Sequence, residues 1–73
     1  MAYSEIALLK QRITLEYEAM KRGLSGSACG TAQHAFIDAR MHYVDRYHTQ
    51  LEQLVGEQEA TQTIYELYNQ VIG

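Results

Sequence analysis

Four side chains are spaced as chelating groups would be. His34, Asp38, His42 and Asp45 recur at intervals of 4, 4 and 3 residues, which on a helix sets all four within roughly 80° of arc. Imidazole and carboxylate one turn apart can hold a divalent cation, so metal binding is one chemistry the spacing allows. The same arc also carries Arg46, Thr49 and Glu52, the mixture of a solvated helix side stabilised by neighbouring opposite charges. Carboxylate-bridged sites in helical bundles use Glu-x-x-His on paired inward faces, and the chain has no such motif. The solvated face is the expectation, and no metal or other cofactor is assigned.

Arg40 is the sharper anomaly, because its helical angle places it among Phe36, Ile37 and Val44. A guanidinium in an apolar arc must be paired or must reach out to water along its aliphatic stem. Glu16, on the edge of the preceding apolar stripe, is a candidate partner; Glu5 or a carboxylate of another subunit are others. His48 falls between Val44 and Leu51, where a charged imidazole would weaken a subunit contact; the plainer reading is an edge histidine without consequence. Cys29 precedes the expected start of a helix, where a thiol gains acidity, yet no histidine adjoins it in sequence and a small loop residue is expected.

Serine catalysis has no support, since Ser4, Ser25 and Ser27 stand outside any nucleophile-elbow motif. The glycine-rich segment lacks the Gly-Lys-Ser/Thr ending of a P-loop and the preceding strand of a dinucleotide fingerprint. The expectation is a chain without catalytic activity, and no motif is specific enough to name a family. Six tyrosines accompany one phenylalanine. Tyrosine suits surfaces that are apolar in body and wet at the tip, so Tyr65 is read as a partner contact and Tyr43 and Tyr47 as core.

Three helices would carry these residues. Ile6, Leu9, Ile13, Tyr17, Met20 and Leu24 recur at helical spacing and predict a helix over about 3–22, with Ser4 as cap and Gly23 as stop. Between Gly23 and Gly30, three glycines and two serines in eight residues mark a loop. Thr31 is the expected N-cap of a second helix over about 31–55 that ends at Gly56. Its apolar residues form two adjoining stripes, Phe36, Ala39, Tyr43, Tyr47 and Leu54 on one and Ile37, Met41, Val44, His48, Leu51 and Val55 on the other. Together they cover roughly 200°, well beyond the ~100° stripe of a helix packed on one side.

A third helix over about 57–72 opens with Glu57 and Glu59 against the positive end of its dipole and presents Ala60, Ile64, Leu67 and Val71 on one face. Only Gly56 separates it from the second. Helix connections usually take about 2 to 8 residues, so the expectation is a corner or kink, with helix three able to reach over a second subunit.

Size and charge set the remaining bounds. A chain of 73 residues with one cysteine forms at most one small domain, and a single core of this size contributes only roughly 3 to 5 kcal/mol. Neither a disulfide nor a Cys/His zinc site can be assembled within it, which leaves oligomerisation as the source of added stability. A net charge of −3, with six scattered cations, argues against nucleic acid. No segment approaches the ~18 apolar residues of a membrane span, and the start of the chain, with Glu5, does not resemble a signal peptide. A cytoplasmic protein is expected.

These features favour an all-α fold: an antiparallel helical hairpin plus a short third helix, dimerising into a four-helix-bundle-like assembly. The expected function is self-association as a protein–protein interaction module. Its interface would comprise Ile37, Arg40, Met41, Val44, His48, Leu51, Val55 and Tyr65. A monomeric three-helix bundle is the rival architecture. A bundle that binds a small anionic ligand or a divalent metal at the subunit interface is the alternative function.

Overall fold

The apolar recurrence near the start of the chain builds helix α1 (Ala2–Leu24), which buries Leu9, Ile13, Tyr17 and Met20. The computed structural model describes residues 2–24 and 30–73. Helix α2 (Thr31–Val55) is the long element and helix α3 (Glu57–Val71) the short one. Together the three make an all-α bundle, with Val44 and Leu51 of α2 and Ala60 of α3 closing on the α1 residues to form the core.

The direction of each helix follows from who meets whom. Arg12 of α1 lies against Tyr47 of α2, and Glu16, one turn further along α1, meets Arg40, earlier in α2. The two helices are therefore antiparallel. Glu59 and Thr63 of α3 share a depression with Ile6 and Lys10 of α1, while Tyr68, two turns later, packs edge-on against Tyr17 with ring centroids 5.5 Å apart. Helix α3 thus runs alongside α1 and back along α2.

This reversal corrects the expectation of a corner. Gly56 has φ 91° and ψ 163°, a combination of dihedrals that is essentially restricted to glycine. Its N–H donates to the Glu52 carbonyl at 2.9 Å and its carbonyl accepts from the Ala60 N–H at 3.1 Å. One residue therefore caps both helices and turns the chain. Connection length alone suggested otherwise because ordinary residues need more backbone to make the same turn.

The first two helix boundaries also differ from the sequence reading. Ser4 and Gly23 both lie inside α1 rather than at its ends. Gly23 is helical where α2 comes close: a Cβ added there would stand 2.8 Å from Cε1 of the Phe36 ring. Thr31 is the first residue of α2, and its N-cap is Gly30, at φ 64°, without a side-chain capping bond. The remainder of the expected loop, 25–29, lies outside the described residues, and with it Cys29. Buried Thr63 is satisfied by donating its hydroxyl to the Glu59 carbonyl at 2.9 Å, the usual recourse of a threonine within a helix.

Candidate interaction surface

Helix α3 covers the stripe of α2 that was expected to face a second subunit. Val44 and Leu51 are 2% and 0% exposed within the single chain, while Ile37 and Val55 pack against the core. Within the single chain, part of the stripe assigned to a subunit interface is therefore core, and Leu51 and Val55 share a depression with Glu59 and Thr63 of α3. Met41 remains exposed at the stripe's edge, Tyr65 points outward from α3, and His48 is half-buried with Nε2 unpartnered.

The other side of the α1–α2 hairpin is the one left open. Leu8 and Leu15, seven residues apart on α1, are exposed, as are Phe36 and Tyr43, seven apart on α2. Seven residues are two helical turns, so each pair occupies one face of its helix. A depression of about 260 Å³ between the helices continues this surface past Leu8, Arg12, Gln50 and Leu54. Tyr43, expected in the core, is 39% exposed, whereas Tyr47 is partly buried against the core.

Arginines are laid over the aromatic rings of this side. The Arg40 guanidinium carbon is 4.9 Å from the Tyr43 centroid and 5.6 Å from that of Phe36. Arg46 approaches the Tyr43 ring at 5.7 Å and Arg12 the Tyr47 ring at 6.0 Å. Such contacts hold the cation by the ring quadrupole while leaving its N–H groups able to bond elsewhere. Arg40 also meets Glu16 at 3.2 Å. The two charges are close without the alignment of a hydrogen bond, for Glu16 Oε2 and Arg40 Nε are both buried and unpartnered.

The suspected chelating set does not converge. His34, Asp38, His42 and Asp45 are all exposed, and His42 Nδ1 is engaged with the Asp38 main-chain carbonyl at 2.8 Å. Among the described residues no group of three or more metal-capable side chains comes together. A concavity of about 740 Å³ is lined by α3 alone, from Glu57 to Asn69; a hollow bounded by one helix is an open face and encloses nothing. No described helix is long and apolar enough to cross a membrane.

Tyr17 has a pKa raised by burial first and then by the nearby Tyr68 and Asp45. Its phenol belongs to the core. The surface residues that sequence reasoning missed are Leu8 and Leu15. Their seven-residue spacing with Arg12 between them was the available signal, obscured by the stronger stripe of Ile6, Leu9 and Ile13 beside it.

Comparison with protein families, with curated proteins and with solved structures finds no match to this chain.

Proposed function

We propose that this chain is a small helical interaction module that works by association and performs no catalysis. The observation that carries the reading is the outer α1–α2 surface, where Leu8, Leu15, Phe36 and Tyr43 are 39–54% exposed beside ring-stacked arginines. Exposed aromatic and arginine side chains around an apolar centre are the composition of binding surfaces. The accessible surface of 5185 Å² exceeds the roughly 4600 Å² usual for a folded monomer of 8.4 kDa.

Self-association into a homodimer was expected to use the second stripe of α2, which α3 occupies. On this reading a homodimer would use the outer α1–α2 surface in place of that stripe. The small-anion alternative draws on the unpartnered Arg40 Nε, and a metabolite panel that raises the melting temperature would support it.

The module reading is tested by the pair Leu8→Ser and Leu15→Ser. Both side chains are exposed, so the variants should fold as the parent does and change only association, whether of the chain with itself or with a helical peptide. If neither variant changes any association, this surface is not a binding site.

A further inference from the structure

We infer that the outer α1–α2 groove receives an amphipathic helix with acidic flanks, supplied by another protein. The inference rests on the interaction-module reading and adds to it the chemistry of the partner.

Shape gives the first part. A helical hairpin has two long grooves, one on each side, and α3 fills one of them. In its companion, Leu8 of α1 and Leu54 of α2 line a depression, with exposed Leu15 two turns from Leu8 on α1 and exposed Phe36 and Tyr43 two turns apart on α2. A helix laid there would present apolar residues at i, i+3 or i+4, and i+7, the register by which helices enter such grooves. The occupant of the filled groove is a helix of this kind, since α3 carries Ala60, Ile64, Leu67 and Val71 along its inner side.

Charge gives the second part. Arg12, Arg40 and Arg46 belong to the open side, held over Tyr47, Phe36 and Tyr43. Glu16 is already against Arg40, and Glu5 is left at the edge of the depression, so the groove retains an excess of positive charge. In the filled groove the same pairing of sign occurs at one end, where Glu59 of α3 lines the same depression as Lys10 of α1.

A second copy docking by the same patch fits less well. A two-fold interface sets two copies of the same patch together, each with the same excess of positive charge, and like charges across a contact are costly. A partner with glutamates beside its apolar stripe meets the same arginines with the opposite sign.

The test uses two synthetic helical peptides that share one leucine register, one flanked by glutamates and the other by lysines, each labelled for fluorescence anisotropy with the full chain. The glutamate peptide should bind about 10-fold more tightly than the lysine peptide at low salt, and the preference should shrink as salt rises from about 50 mM to about 500 mM. Arg46→Glu should remove the preference, and Leu15→Glu should weaken binding of both peptides about 10-fold; circular dichroism melts of the variants establish that they remain folded. Equal binding of the two peptides, or a tighter lysine peptide, overturns the inference. So does a chain that sediments as a dimer and returns to a monomer with Leu15→Glu, an outcome that keeps the module reading and makes the occupant a second copy. If both peptides fail to bind and the mass is that of a monomer throughout, the inference and the module reading fall together.

Discussion

Arg40 and Glu16 face one another across the α1–α2 seam at 3.2 Å, each with a buried polar atom that finds no hydrogen-bond partner. Such a pair fixes how two helices register more than it stabilises them, because desolvation offsets most of the attraction. Replacing one member leaves the other charge buried. Arg40→Met should therefore lower stability by about 1–2 kcal/mol, while Arg40→Met combined with Glu16→Leu should recover most of that loss. Urea unfolding of the two variants beside the parent measures both; additive losses would show that the charges do not depend on each other.

Gly56 sits at backbone angles that favour glycine, and the handedness of the substituent should decide the outcome. Gly56→Ala should cost about 1–3 kcal/mol, because an L residue is strained at φ 91° and ψ 163°. D-alanine placed there by chemical synthesis should cost less than L-alanine, since the mirror-image dihedrals lie at the border of the ordinary β region. Thermal melts of the two chains check the contrast, and equal losses would mean that the turn is not set by backbone conformation.

Core and outer surface should respond differently to the same truncation. Leu51 is 0% exposed, and Leu51→Ala should cost about 2–5 kcal/mol, enough to unfold most of the chain. Leu15 is 54% exposed, and Leu15→Ala should change stability by no more than about 0.5 kcal/mol. A comparable loss at both positions in denaturant titrations would place Leu15 in the folding core.

Tyr17 links stability to alkaline pH. Its pKa is raised in the folded chain, by burial, Tyr68 and Asp45 in that order, so above the ordinary tyrosine value of about 10 the unfolded state loses its proton first. The stabilisation is complete below that value and is lost as pH rises towards the folded pKa. Tyr17→Phe should flatten the fall in melting temperature between about pH 9 and pH 11; an unchanged slope would assign the alkaline transition to other groups.

Much of the architecture was legible in the residue pattern. Leu9, Ile13, Tyr17 and Met20 announced the inner side of α1, and Glu57 and Glu59 marked the start of α3. The wide apolar arc of α2 correctly implied two neighbours. Which neighbour covered which stripe was not legible, because that depended on the dihedrals of Gly56, and a glycine in sequence does not disclose the sign of its φ. Once α3 turned back, Val44 and Leu51 became core. The open surface moved to the other side of the hairpin, where Phe36 and Tyr43 look like core residues by type and are made surface residues by geometry. Arg40 was visible as an apolar-arc cation; its stacking on Phe36 and Tyr43 required the folded coordinates.

Chemical-shift mapping of the isotopically labelled chain during titration with the glutamate-flanked peptide locates the binding surface residue by residue. The largest changes should fall on Leu8, Leu15, Phe36, Tyr43 and the side chains of Arg12 and Arg46, with the α3 resonances of Ile64, Leu67 and Val71 nearly unmoved. Changes centred instead on Tyr65, Met41 and the outer side of α3 would contradict docking in the outer α1–α2 groove.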